Sequence, residues 1–228
     1  LYGLSRNPRK AAWNRLAFYN LTDMERTAEA LKYADALFNA SDSSKFTGFD
    51  YTYYGTALKN DKQYDKAIEM FNKAMEENKG NEELVNSNRK ALSDLYLSKE
   101  DFDKATAYYE EYLKHAAKTT ASDMAGLATI YMNLAAKQTG DEQKASFKKA
   151  DDVYARLGEK FPANIDFANF MRARINSNLD PETKEGLAKP FYEAIVNSLA
   201  SKTDRDKADN ARLTEAYRYL GYYYLVKN

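Results

Sequence analysis

One pattern of small and bulky residues recurs along this chain at intervals of a few tens of residues. Its clearest copy reads Tyr51-x2-Tyr54-Gly55-x2-Leu58, followed by Ala67-x3-Phe71-x2-Ala74. Because residues three and four apart lie on one face of a helix, each half of the copy forms one stripe, and the glycine lets a second helix approach closely. The pattern predicts pairs of helices joined by short turns and stacked as like units.

Further copies keep the same spacing. Their first helices read Arg89-x2-Leu92-Ser93-x2-Tyr96, Met124-x2-Leu127-Ala128-x2-Tyr131, Ala168-x2-Met171-Arg172-x2-Ile175 and, upstream, Trp13-x2-Leu16-Ala17-x2-Asn20. Their second helices read Ala105-x3-Tyr109-x2-Tyr112, Ala150-x3-Tyr154-x2-Leu157, Ala188-x3-Tyr192-x2-Ile195 and Ala30-x3-Ala34-x2-Leu37. Arg172 stands where the pattern has a small residue, which predicts a looser helix contact. The last copy, Tyr217-x2-Leu220-Gly221-x2-Tyr224, is a first helix alone.

The copies divide the chain into units at approximately 8–40, 46–79, 82–116, 121–161 and 163–200, with a half unit at 207–227. We predict one all-α domain over 1–228, an α-solenoid of about eleven helices wound as a right-handed superhelix. The interval from Tyr131 to Ala150 is long, so we expect the segment 137–142 to break the chain before a long second helix. Asn60-Asp61, Glu100-Asp101 and Asp180-Pro181 are predicted helix-starting caps.

Composition supports this fold and argues against several classes of function. The 228 residues include 9 Gly and 4 Pro, which suits long helices with short turns. Lys plus Arg and Asp plus Glu both number 34, so the formal charge of +0 argues against a nucleic-acid partner. No apolar window approaches the length of a membrane-spanning helix. The absence of cysteine excludes disulfides, thiolate metal sites and a thiol nucleophile.

Candidate catalytic residues are few. His115 is the only histidine, so a histidine-based metal site is nearly excluded, and its position near a helix end suits the helix dipole. The acidic pairs Glu76-Glu77, Glu82-Glu83 and Glu110-Glu111 are typical of solvated helix faces. No glycine-rich phosphate loop is present. We therefore predict no enzymatic activity, no cofactor and no metal.

These motifs resemble the tetratricopeptide-repeat (TPR) family, whose unit reads Trp-x2-Leu-Gly-x2-Tyr, then Ala-x3-Phe and a closing Pro. Phe161-Pro162 closes the third full copy in this way. The resemblance covers nearly the whole chain. It implies that first helices line a concave groove that receives a peptide, whereas second helices form the outer face. The implied groove stripe lies beside the packing stripe, at Thr52, Thr56, Lys59, Lys90, Asp94, Leu97, Thr129, Met132, Asn169 and Asn176.

From this resemblance we predict a non-catalytic interaction scaffold that binds a peptide or protein segment in the groove. Family members that clamp a terminal carboxylate use lysine and asparagine on successive first helices, a pattern that Thr52 and Thr56 do not match. A first alternative is a cell-envelope solute- or glycan-binding accessory protein, in which tyrosines off the packing stripe stack on sugar rings. These are Tyr53, Tyr108, Tyr219 and Tyr223.

A second alternative is a structural subunit that self-associates through its C-terminal helix, which is apolar nearly all round from Leu213 to Val226. The explanation we favour for this apolar face is that residues beyond Asn228 cover it. Because the chain begins at Leu1 rather than Met, we also expect an upstream segment to have been removed. The Tyr-, Asn- and Lys-rich, cysteine-free composition is similar to bacterial envelope members of the family, which favours the periplasm or cell envelope over the cytoplasm.

Overall fold

The computed structural model describes residues 2–42 and 45–227. Within these ranges the chain is all-α, with one short 3-10 helix at Pro162–Asn164 and no strand. The α-helices are α1 (Tyr2–Arg6), α2 (Ala11–Asp23), α3 (Thr27–Ala40), α4 (Gly48–Asn60), α5 (Tyr64–Glu77), α6 (Glu82–Ser98), α7 (Phe102–His115), α8 (Ala121–Lys137), α9 (Gly140–Lys160), α10 (Ile165–Leu179), α11 (Lys189–Leu199) and α12 (Lys207–Lys227). The predicted all-α helical repeat is confirmed by α2 to α12, and α1 was not predicted. No helix in the described ranges is long and apolar enough to cross a membrane.

The helices form two compact units that divide after Ala116. In the first unit α2 packs on α3, α4 on α5, and α6 on α7. In the second unit α8 packs on α9, α10 contacts both α9 and α11, and α12 packs on α11. Helices that are neighbours in the sequence supply most of these contacts, as is typical of a helical repeat solenoid.

Three turns between paired helices share one hydrogen-bonded geometry. Glu25, Lys62 and Glu100 have φ angles of 56°, 61° and 57°. The residue after each donates its backbone N–H to a carbonyl five positions earlier, over 2.9 Å, from Arg26 to Leu21, from Gln63 to Leu58 and from Asp101 to Tyr96. Such a left-handed residue ends a helix by satisfying its last carbonyls. Successive turn residues are 37 and 38 positions apart, so they mark equivalent positions in successive repeat units.

The predicted contact between a glycine and an aromatic ring is confirmed in α4 and α5. Phe71 is 1% exposed, and a Cβ on Gly55 would lie 3.0 Å from three of its ring carbons. In the next pair Ser93 takes the place of the glycine, and its hydroxyl donates to the Ala105 carbonyl at 2.7 Å. Small residues on the first helix thus allow close packing of the second.

The packing stripe predicted for α2 is wrong. Trp13 and Leu16 are 46% and 55% exposed, whereas Phe18 and Leu21 are buried in the core with α3. The unpredicted α1 lies beside Trp13, since a Cβ on Gly3 would come within 2.7 Å of the indole ring. The stripe of this copy is therefore displaced along the helix.

The turn register explains the displacement. Phe18 stands 37 residues before Gly55, and Ala34 stands 37 residues before Phe71. Phe18 and Ala34 are both fully buried in one core cluster. In this pair the large residue lies on the first helix and the small residue on the second, the reverse of Gly55 and Phe71. The two arrangements fill a similar volume between the helices.

Two first helices begin with the same capping box. Thr47 and Asp50 exchange side-chain-to-backbone hydrogen bonds of 3.3 and 2.8 Å at the start of α4. Thr120 and Asp123 do the same at the start of α8, with two bonds of 3.1 Å. Each box satisfies backbone donors that the first turn of a helix leaves without an intrahelical partner.

The predicted chain break and long second helix are confirmed in the second unit. α8 ends at Lys137, and α9 runs for 21 residues from Gly140, whose φ angle is 62°. Glycine adopts this left-handed conformation without the steric cost that a side chain brings. The long interval in the repeat is therefore taken up by extra helix rather than by loop.

The small residue at the contact between α10 and α11 is Ala173, the residue after Arg172, and this contact is less extensive than those of the preceding helix pairs, as the sequence predicts. Ala173 is fully buried in the same core cluster as Tyr192. Arg172 instead binds both carboxylate oxygens of Asp151 on α9, at 3.0 Å each. Only the small residue differs from the predicted pattern, since the predicted stripe residues Ala168 and Ile175 are buried.

Two of the three predicted caps are wrong. Asp101 caps α7 by accepting the backbone N–H of Lys104 at 3.2 Å. Asn60 is the last residue of α4 and Asp61 its C-cap, because α5 begins only at Tyr64.

Asp180 organises a loop rather than starting a helix, since α11 begins at Lys189. Its side chain is buried and accepts four backbone N–H groups, from Lys184 at 2.8 Å, Glu185 at 3.0 Å, Gly186 at 2.7 Å and Leu187 at 3.4 Å. A carboxylate with several backbone donors is strongly stabilised in its charged form. The Asp180 carboxylate therefore holds the backbone of the α10–α11 loop, which has no helix of its own.

Candidate functional site

The stripe predicted for ligand binding on α4 is partly exposed. The Thr56 hydroxyl donates to the Thr52 carbonyl at 2.9 Å, within the helix. The Thr52 hydroxyl bonds the Asn88 side chain on α6 at 3.1 Å. Phe49, in the first turn of α4, is 48% exposed. One edge of this stripe is thus tied to the next first helix.

The other edge of α4 lies against α2. The rings of Tyr53 and Tyr19 stack with their centroids 3.9 Å apart and their planes 9° from parallel. The Tyr53 hydroxyl reaches Asp23 at 3.4 Å. These contacts join α4 to α2 and α6 at its two edges, and Thr52, Thr56 and Lys59 between the edges are half-buried.

Three charged residues lie at the far end of this surface. Partial desolvation raises the pKa of the Asp94 carboxyl, although the residue is exposed, and the charges of Lys59 and Lys90 oppose that rise. Lys90 also approaches the Tyr112 ring, with its ammonium 4.8 Å from the centroid. The cluster offers one carboxylate and two ammonium groups at the surface of α4 and α6.

The predicted stripe residues of the second unit differ in exposure and in their hydrogen bonds. Thr129 is exposed, and its hydroxyl bonds the Ala125 carbonyl at 2.9 Å. Asn176 donates to Asp151 on α9 at 2.9 Å and so helps to hold α10. Asn169 is half-buried. We infer that the first unit, where the exposed Phe49 ring lies on the stripe with Thr52 and Thr56, carries the clearer candidate surface.

The off-stripe tyrosines are all partly buried. Tyr108 stacks on Tyr96 at 5.5 Å, and Tyr219 contacts Tyr192 at 4.7 Å. Tyr223 covers Gly186, where a Cβ would come within 2.5 Å of its ring. Each off-stripe ring therefore has a protein partner on at least one side, which reduces the area open to a sugar.

A buried acid ties α2 to α4. The Arg15 guanidinium donates to both Asp50 oxygens at 2.6 and 3.0 Å, and Tyr19 donates at 3.0 Å. Burial alone would raise the pKa of Asp50, but the bonds from Arg15, Thr47 and Tyr19 outweigh it and hold the pKa below its ordinary value. Burial beside Asp50 raises the pKa of the Tyr19 hydroxyl. Because every acceptor is used internally, this network serves structure.

His115 is the last residue of α7, at the helix end where the sequence placed it. Its Nδ1 lies 3.1 Å from Glu82 on α6 and its Nε2 lies 3.3 Å from Glu111. Glu82 also accepts from Arg89 at 2.5 Å. Among the described residues, no group of three or more His, Asp or Glu side chains is arranged to hold a metal ion. The cluster links α6 to α7.

A shallow cleft of about 430 Å³ lies beside this cluster, between α5 and α6. Met75 and Val85 form its apolar part, and Glu76, Lys79 and Arg89 surround them. Its charges are mixed, and Lys79 lies within 3.7 Å of Glu76. The cleft offers no convergent set of polar groups for one class of small ligand.

Comparisons with known proteins identify the fold. No family model and no curated protein matches the chain. The C-terminal part of a TPR repeat-containing protein from Cytophaga hutchinsonii superposes with a TM-score of 0.73 and 23% identity, covering 100% of this chain and 81% of that one. MamA AMB-1 gives a TM-score of 0.59 and 15% identity, over 85% and 93% of the two chains. A Podospora anserina protein with nearly identical TPR-like repeats gives 0.57 and 14%, over 86% and 96%.

Proposed function

The chain has the TPR fold of these structures, and from it we propose that the protein is a non-catalytic scaffold that binds a peptide or protein segment on its first helices. The observation that carries the proposal is the stripe of α4 at Thr52 and Thr56. Thr52 and Thr56 are half-buried, and contacts of α4 with α2 and α6 lie on either side of them. Proteins that share one fold differ in function according to their binding sites, and the stripe residues therefore support the proposal more than similarity of fold does.

The chemistry of the stripe indicates the class of ligand. The threonine hydroxyls bind within the protein and retain acceptor capacity, while Lys59, Lys90 and Asp94 supply charge of both signs. Phe49 adds an exposed aromatic ring at the amino-terminal end. A peptide with an apolar residue at one end and mixed charge at the other is complementary to this surface.

A blocking variant tests the proposal. Peptides selected from a random library on the full chain are titrated calorimetrically against Thr56→Trp, which places an indole on the stripe. The matched control is Lys73→Trp on the exposed face of α5. We expect at least a tenfold loss of affinity for Thr56→Trp and none for the control. Equal affinity for both variants, with unchanged circular dichroism, would place binding elsewhere and contradict the proposal.

A further inference from the structure

Asp94 occupies the place on α6 that Thr56 occupies on α4. The two residues are 38 positions apart, as are the left-handed residues in the turns that follow these helices. The Thr52 hydroxyl bonds the Asn88 side chain on α6 at 3.1 Å, so the two helices lie side by side at this level. Asp94 therefore continues the stripe of α4 onto the next first helix.

The Asp94 carboxylate takes no part in holding the fold together. The Asp94 backbone carbonyl accepts from the Ser98 hydroxyl at 3.0 Å, but the carboxylate has no hydrogen bond or ion pair with any residue that the structure describes. The carboxylates of Asp50 and Asp101, in contrast, accept hydrogen bonds that join two helices or cap one. The Asp94 carboxylate is therefore available to a ligand.

Protein atoms surround Asp94 although solvent reaches it. Desolvation by these atoms raises the pKa of the Asp94 carboxyl, and the charges of Lys59 and Lys90 oppose the rise without cancelling it. The residue is nonetheless exposed. A carboxyl group that is both desolvated and accessible lies in a concave part of the surface, where a ligand can contact it.

The two lysines do not bind the Asp94 carboxylate directly. Lys90 turns toward α7, where its ammonium lies 4.8 Å from the centre of the Tyr112 ring and 3.5 Å from the Tyr112 hydroxyl. Lys59 is half-buried on α4, and its charge acts on Asp94 from beyond ion-pair distance. A long lysine side chain can carry its charge into water, whereas the short aspartate side chain cannot. The negative charge of Asp94 is therefore only partly compensated within the protein.

We propose that Asp94 binds a lysine or arginine side chain of the ligand, an inference that rests on the proposed binding of a peptide segment along α4. A cation supplied by the ligand meets a carboxylate that protein has already desolvated, where an ion pair is stronger than on an open surface. The same carboxylate repels an acidic side chain at this position. Asp94 thus selects the charge of one residue of the ligand.

The helix geometry gives the position of this basic residue in the peptide. Phe49 and Thr56 lie two turns apart on α4, about 10 Å along its axis, and neighbouring helix axes are about 10 Å apart. The diagonal from Phe49 to Asp94 is therefore about 14 Å, the length of about four residues of extended chain. We expect the basic residue about four positions from the apolar residue that contacts Phe49.

A charge exchange tests the inference. Peptides are selected from a random library on the parent chain and on Asp94→Lys, after circular dichroism has established that both are folded. We expect lysine or arginine at one position of the peptides selected on the parent chain. We expect aspartate or glutamate at that position of the peptides selected on Asp94→Lys.

Calorimetric titration of one parent-selected peptide measures the contribution of the carboxylate. We expect at least a tenfold loss of affinity for Asp94→Asn and none for the matched control Asp103→Asn, at an exposed residue of α7. Replacing the basic residue of the peptide with glutamine should weaken binding to the parent chain at least tenfold. The same replacement should have little effect on binding to Asp94→Asn, because the ion pair is already absent.

These results distinguish a failure of the inference from a failure of the proposed function. Peptides that lose affinity for Thr56→Trp but bind Asp94→Asn as tightly as the parent chain would overturn the role of Asp94 and leave peptide binding along α4 intact. Selected peptides without a preferred basic residue would overturn it as well. Peptides that bind Thr56→Trp as tightly as the parent chain would contradict both.

Discussion

The ring of Phe71 occupies the space that a side chain on Gly55 would need, with three ring carbons 3.0 Å from the position of a Cβ. Phe71 is 1% exposed, so the ring has little room to move aside. The close approach of α4 and α5 therefore depends on the absence of a single methyl group.

Gly55→Ala should destabilise the protein by about 1–3 kcal/mol, because overpacking outweighs the gain of about 1 kcal/mol in helix propensity. Gly221→Ala is the matched control, since its methyl group meets nothing within 4 Å. It should stabilise the protein by about 1 kcal/mol. Urea unfolding measures the free energy of unfolding of both variants. A Gly55→Ala variant more stable than the parent protein would show that the Phe71 ring moves aside, and would contradict the prediction.

Phe18 and Ala34 offer a test of the exchanged packing in the first pair. Phe18→Ala should cost about 3–5 kcal/mol, because it opens a cavity at a fully buried site. Adding Ala34→Phe should restore part of that loss, since the new ring can fill the cavity from the second helix, as Phe71 does beside Gly55. A double-mutant cycle measures the coupling. Additive losses in the cycle would mean that the two side chains do not share one space.

Asp50 should make stability depend on acid pH. The pKa of Asp50 is lower in the folded protein than in the unfolded chain, where it is about 4. The stability that ionised Asp50 adds is therefore complete above the unfolded pKa, and it is lost as the pH falls through the lower pKa of the folded protein. Asp50→Asn should cost about 1–3 kcal/mol at neutral pH, because Arg15, whose side chain is 29% exposed, loses its charged partner, and should flatten the acid limb. Urea midpoints from pH 7 to 3 measure this. Asp65→Asn, at a side chain that is 87% exposed, should leave the profile unchanged.

Asp180 should control the stability of the α10–α11 loop. Asp180→Ala leaves four backbone N–H groups without their acceptor and should cost about 1–3 kcal/mol. Amide hydrogen exchange at Lys184, Glu185 and Gly186 should accelerate more than in the helices. Glu182→Ala, at a side chain that is 69% exposed, is the control. Unchanged protection of the three amides would show that the loop is held by other contacts.

The spacing of small and large residues predicted the helices and most of their core. It succeeded where the small residue lies on the first helix, as at Gly55 and Ser93, because the pattern was taken from such a copy. It failed in α2, where Phe18 and Ala34 exchange sizes, since a pattern of residue size does not distinguish which helix carries the large one. The left-handed turn residues Glu25 and Lys62 fix the register independently, but glutamate and lysine give no sequence signal for that conformation.

The candidate surfaces were only partly predictable. The position of Thr52 and Thr56 beside the packing stripe follows from helix periodicity, and whether a ligand binds there stays a prediction. Two tyrosines of α12 are half-buried where the sequence pattern places them outside the packing stripe. Tyr219 and Tyr223 lie off the stripe in sequence yet pack inward, because a helix at this position is covered on the face that meets the preceding helices. Sequence periodicity defines the faces of a helix but not which of them is covered.

The packing of each helix on its sequence neighbours has a kinetic consequence. Loops as short as the one closed by Lys62 bring α4 and α5 together with little loss of chain entropy, so local helix hairpins can form early. Low contact order is associated with rapid folding, and repeat arrays can begin folding at more than one place. We therefore expect a hairpin such as α4–α5 to act as a nucleus, and substitutions within it to slow refolding more than substitutions in α12 do.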